Sequence, residues 1–110
     1  MGKETEVKKE KNRLSKIFKD IDENKKKFVK NQIEQLAWLN VSIAELQQEI
    51  DETGTTVVYD NGGGQTGIKD NPNIKTLIAY QKNAIAITKQ LTDLVPNAPK
   101  KSKLEAFMNE

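Results

Sequence analysis

The chain has 110 residues, 35% of them apolar and 31% charged, a net charge of +2, and neither cysteine nor histidine. That suits one domain with a modest core. It excludes disulfides, thiol nucleophiles, zinc held by Cys or His, and histidine acid–base catalysis. No apolar run approaches the roughly 20 residues that span a bilayer, and the amino end MGKETEVKKEKNRL lacks the apolar stretch of a secretory signal. These features predict a cytoplasmic protein without a membrane partner.

Charge is unevenly spread. Residues 1–30 carry 11 Lys/Arg against 6 Asp/Glu, whereas residues 31–54 carry 5 acids and no base. Such polarity points to an anionic partner at one end or to pairing between chains. Residues 1–13 alternate acids and bases with almost nothing apolar, and are read as either a frayed helix or a flexible charged tail. Leu14, Ile17, Phe18 and Ile21 then fall at i, i+3, i+4 and i+7, the spacing of one helical face over about 14–21. Val29, Ile33, Leu36, Leu39, Ile43, Leu46 and Ile50 form a second stripe and predict a helix over about 24–53. Neither Gly nor Pro lies between Lys3 and Gly54, so one continuous helix is compatible with the pattern. The break is placed at DIDEN, 20–24, where Asp22 and Asn24 are cap-type residues.

Gly54 follows the last apolar position and stops this helix. Residues 55–70 contain a β-branched run, the turn signal NGGG and a returning run, and predict a hairpin-like insert. DNPN opens a third helix over about 72–95, with Pro72 in its first turn and Pro96 beyond its end. Its periodic residues are Ile74, Leu77, Ile78, Gln81, Ala84, Ile85, Thr88 and Leu91. Residues 96–110, with two prolines and three lysines, are read as a flexible tail in which KLEAFM forms a short docking segment.

The predicted fold class is mainly α: an antiparallel long-helix hairpin with a short β-hairpin or extended insert and a basic N-terminal helix, in one domain over 14–95. Trp38 and Val41 project away from the main stripe of their helix, and Tyr80 and Ile87 widen the apolar face of theirs. Two helices cannot cover all of this surface, so these four residues are candidates for a homo-oligomer interface. The alternative is that the amino helix folds back over Trp38.

No motif carries catalysis. GGGQTG lacks the Lys-Ser/Thr of a phosphate loop, and its match to GxGxxG lies outside any βαβ unit. The acids of EIDE, 49–52, sit at a helix carboxyl end and suit a basic partner better than a cation. The expectation is therefore no enzyme activity, no cofactor and no metal. The remaining signal is electrostatic: Lys8, Lys9, Lys11, Arg13, Lys16, Lys19, Lys25, Lys26, Lys27 and Lys30 are candidates for contacts to a DNA backbone. A single arginine leaves little for reading guanine, so the binding expected is to double-stranded DNA with weak specificity.

Residues 13–96 as a whole resemble the small subunit of tailed-phage terminase, as found in short prophage proteins of Gram-positive bacteria. The features that carry the likeness are the helix QIEQLAWLNVSIAELQQEIDETG, the polar segment NGGGQTGIKDNP, and the helix NIKTLIAYQKNAIAITKQLTDLVP with its Leu-Val-Pro close. The resemblance implies a non-enzymatic ring-forming protein of the bacterial cytoplasm that binds phage DNA and presents it to the large terminase subunit. Many members carry an amino-terminal helix-turn-helix. Here Leu14–Ile21 provides one helix only, and no base-contacting residue is assigned. The alternative is a helical structural or adaptor protein acting through protein–protein contacts alone.

Overall fold

The computed structural model describes residues 2–94. Helix α1 spans Gly2–Ile17, a single 3₁₀ turn spans Glu23–Lys25, and helix α2 spans Lys26–Thr53. Strands β1 (Thr56–Asp60) and β2 (Thr66–Asp70) follow, then helix α3 (Pro72–Leu94). The architecture is mainly helical with an antiparallel β-hairpin between the two long helices, as the sequence predicts. The predicted docking segment and the rest of 95–110 lie outside the described residues.

Each helix turns one apolar stripe inward. Leu14, Leu36 and Leu91, one from each helix, are fully buried, and around them gather Phe18, Ile21, Val29, Ile33, Ala37 and Ala84. Pairs joining residue 3 to 45 and residue 11 to 34 run α1 antiparallel to α2. Trp38 meeting Tyr80, and Asn71 meeting Thr53, run α3 antiparallel to α2 as well.

Two boundaries differ from the sequence reading. The polar stretch 1–13, which the sequence offers as a frayed helix or a flexible tail outside the domain, is helical from Gly2, and α1 ends at Ile17 instead of Ile21. The added turns are held by distant partners: Lys3 reaches Glu45, Lys11 reaches Glu34, and Val7 packs against the core. The chain leaves the helix after Ile17 because Phe18 and Ile21 both turn into the core, at 3% and 8% exposure. Asp22 does precede the 3₁₀ turn, but its side chain makes no cap hydrogen bond. Burial, more than capping, sets the break.

The buried seam of α3 also differs. It runs through Ala84, Thr88, Leu91 and Thr92, while Ile78 and Ile85 stay exposed. The threonines are tolerated inside because each hydroxyl donates to the carbonyl four residues back: Thr88 Oγ1 to Ala84 at 2.7 Å and Thr92 Oγ1 to Thr88 at 2.8 Å.

The hairpin stands on a polar clamp. Asn71 is buried, with 3% exposure. Its Nδ2 donates to Thr53 Oγ1 and to the Gly54 carbonyl, at 3.1 and 2.9 Å, and its Oδ1 accepts from the Asn73 N–H at 3.0 Å. Its own N–H donates to the Thr55 carbonyl at 2.9 Å. One side chain thus caps α3 and ties it to the end of α2. At the tip, Gly62, Gly63 and Gly64 all have φ between 58° and 89°, a left-handed run open only to glycine. Asp60 Oδ1 accepts from the Gly62 N–H at 2.7 Å and starts the reversal. We expect Asn71→Ala to cost about 1–3 kcal/mol, because it removes a cap and leaves buried partners unpaired. Chemical denaturation should show that loss with native helix content; an unchanged midpoint would mean that the clamp is dispensable.

Candidate nucleic-acid interface and assembly faces

The ten basic candidates fall into two groups. Four are engaged by carboxylates: Lys9 with Glu6 at 3.7 Å, Lys11 with Glu34 at 3.1 Å, Arg13 with Glu10 at 2.6 Å, and Lys26 with Glu23 at 2.8 Å. The other six, Lys8, Lys16, Lys19, Lys25, Lys27 and Lys30, are exposed and form no ion pair among the described residues. Lys8 stands alone along α1. The other five bracket the α1–α2 corner, from the last turn of α1 through the 3₁₀ turn into the first turns of α2.

Helix α2 is charged against its own dipole. Its first turn holds no acid and its last turn no base. Lysines crowd the amino end, and Glu49, Asp51 and Glu52 crowd the carboxyl end. Each placement opposes the pattern that stabilises an isolated helix. The lysines add to the positive helix terminus at the corner, and the acids add to the negative terminus beside the hairpin. The molecule is therefore polarised along its length.

Arg13 is held away from any outside acceptor by a forked contact to Glu10, with Nε at 2.8 Å from Oε1 and Nη2 at 2.6 Å from Oε2. Asn40 of α2 donates to the same carboxylate at 2.8 Å. Burial pushes the Glu10 carboxyl upward, but the Arg13 and Asn40 hydrogen bonds and the guanidinium charge outweigh it. The net pKa lies below the ordinary 4.5. This cluster fastens α1 to α2, and sequence periodicity gave no sign of it.

The four assembly candidates do not share a face. Val41 is half-buried in the groove between α1 and α2, beside Lys9, Arg13 and Ala44. Trp38, Tyr80 and Ile87 line a second groove, between α2 and α3, with Phe28 and Leu39. Trp38 meets Tyr80 edge-on, with ring centroids 5.5 Å apart. The Lys3 ammonium lies 4.3 Å from the Trp38 ring centroid and 3.2 Å from Glu45 Oε1, a cation–π contact backed by an ion pair. The amino helix thus does reach over Trp38, yet the indole keeps 42% exposure.

The hairpin, whose Thr55–Tyr59 edge the sequence also offers for pairing with a second copy, presents a further apolar face beyond those four residues. Val58 and Ile68 are direct cross-strand partners, 74% and 73% exposed. On the opposite side Tyr59 lies over Gly67, so close that a Cβ there would sit 2.6 Å from the phenol oxygen. Among the described residues no three metal-ligating side chains cluster. No described helix is long and apolar enough to cross a membrane. No family model matches the chain, and neither a curated protein nor a solved structure matches it.

The Glu10 cluster gives a pH signature. A carboxyl whose folded pKa is depressed stabilises the fold above its unfolded value and loses that contribution as pH falls through the folded value. Docking of α1 should therefore weaken below about pH 4.5, the ordinary value. Glu10→Gln should cost about 1–3 kcal/mol at neutral pH and flatten this acid dependence. Denaturation midpoints between acid and neutral pH measure both effects; parallel profiles for the two proteins would remove Glu10 as the cause.

Proposed function

We propose that this chain is a non-enzymatic DNA-packaging protein of the small-terminase type. It works as a homo-oligomer in the bacterial cytoplasm, contacts the backbone of double-stranded DNA, and hands that DNA to a large terminase subunit. The observation that carries the DNA role is the basic corner, where five unpaired lysines stand around the positive end of a helix charged against its own stability. The resemblance of residues 13–96 supports the packaging context.

The same chemistry sets the kind of binding. Lysine ammonium groups are point charges suited to phosphate, and the lone arginine is occupied by Glu10. Base-edge recognition has no forked donor to use, so the contacts are to backbone and weakly specific. Assembly is assigned to the hairpin, whose Val58–Ile68 pair and outer strand edges suit a second copy. A second reading is favoured by one observation, the exposed acids at the hairpin end of α2: an adaptor that captures a basic protein segment there and ignores DNA.

Titration with duplex DNA across salt separates the two. Five phosphate contacts give a log K against log[salt] slope of about −4.5, and Lys25→Gln/Lys27→Gln/Lys30→Gln should reduce its magnitude by about 3. Absence of binding at about 50 mM salt would remove the DNA role and leave the adaptor. For assembly, Val58→Ser/Ile68→Ser should leave helical circular dichroism intact and lower the mass seen by light scattering. An unchanged oligomer mass would reduce the hairpin to a connector.

A further inference from the structure

The groove between α2 and α3 has an apolar floor, Phe28, Trp38, Leu39, Tyr80 and Ile87, and a volume of ≈ 950 Å³. Its walls are mostly amides, among them Gln35, Asn83 and Gln90, and its lining contains no lysine or arginine. Such a surface rejects a nucleic-acid backbone. It fits a peptide, whose side chains take the floor and whose backbone groups meet the amides.

We infer that this groove is the seat of the chain's own carboxyl-terminal segment, with Leu104, Phe107 and Met108 as the residues that enter it. Three observations converge on that occupant. First, Leu94, the last described residue of α3, lies about one turn past Gln90, so the rest of the chain starts at the mouth of the groove. Pro96 and Pro99 oppose its continuing straight on. Second, the length suffices. The ten residues from Leu94 to Leu104 span up to roughly 33 Å, and the stretch of α3 from Gln90 back to Tyr80 is about 15 Å long. Third, Leu104, Phe107 and Met108 are the large apolar side chains beyond Val95, and they fall at i, i+3 and i+4, the spacing of a groove-binding face.

The tether also decides between this segment and a second copy. A link of about ten residues holds the segment at an effective concentration near the millimolar range. A separate copy at micromolar concentration competes poorly against it. With the groove filled from within, self-association is left to the hairpin, and α3 is braced on the side that α1 does not cover. The inference stands whether or not the protein packages DNA, since it rests on the groove and the segment alone.

Trp38, the single tryptophan, reports directly on this floor. In the full chain its emission should be blue-shifted and poorly quenched by acrylamide, independent of protein concentration. In the full chain carrying Leu104→Ser/Phe107→Ser, emission should shift to the red and the quenching constant rise by roughly twofold or more, with helical circular dichroism unchanged. Identical quenching in the two proteins would overturn the proposal. So would protection of Trp38 that disappears on dilution together with a fall in mass, which would give the groove to a second copy.

Discussion

Leu14, Leu36 and Leu91 come one from each helix, and together they are the largest side chains shielded completely from water. They belong to one apolar cluster with Phe18, Ile21, Val29, Ile33, Ala37, Leu39 and Ala84, and this cluster joins the three helices. A chain that is 35% apolar, with helices of 16, 28 and 23 residues, cannot extend such a core along its whole length. Away from the leucines the helices are held by polar clamps of high sequence separation. Glu10 gathers Arg13 and Asn40, Lys3 bridges Trp38 and Glu45, and Asn71 joins Thr53, Gly54 and Asn73. Each of these fixes a helix end or a helix crossing where burial alone would leave the element to fray.

The charges divide by the same geometry. Those along the amino half of α1 are mostly spent on structure, paired within the helix or across to α2. At the α1–α2 corner Lys26 pairs with Glu23, whereas Lys16, Lys19, Lys25, Lys27 and Lys30 form no ion pair among the described residues. Lysines at the amino end of α2 oppose its dipole, so their placement does not stabilise that helix terminus. The acids at the other end of α2 follow the same logic with opposite sign. The two helix ends therefore carry opposite fields, which reinforce the helix dipole instead of cancelling it.

Much of this was legible in the sequence. Gly54, NGGG and Asn71-Pro72 are local signals, and they placed the end of α2, the hairpin turn and the start of α3 where the structure has them. The break at 20–24 was legible too, although its cause is the inward turn of Phe18 and Ile21 more than the acid beside them. What periodicity missed depends on partners far away in the chain. Residues 2–13 looked like a tail or a frayed helix because Lys3 and Glu45 stand 42 positions apart, and no local pattern reveals that pair. On α3 the periodicity includes Thr88, but it keeps Ile78 and Ile85 on the same face and leaves out Thr92; the backbone bonds of the hydroxyls let both threonines lie inside. Of the candidate site, the lysines were visible as a list, and the structure divides that list into occupied and free.

The hairpin is the element whose form is least explained by its own stability. An isolated two-stranded sheet is marginal in water, and this one keeps its most β-branched cross-strand pair in solvent. Its support comes from below, through Asn71, and from one side, through Tyr59 over Gly67 and the Lys69 ammonium 5.9 Å from the Tyr59 ring centroid. At the tip a Cβ on Gly62, Gly63 or Gly64 would meet nothing within 4 Å, so it is their positive φ, not lack of space, that calls for glycine. A connector between antiparallel helices needs only a few residues. This one spends residues 55–71 on the task and presents Val58 and Ile68 outward, an exposed apolar pair held clear of the bundle.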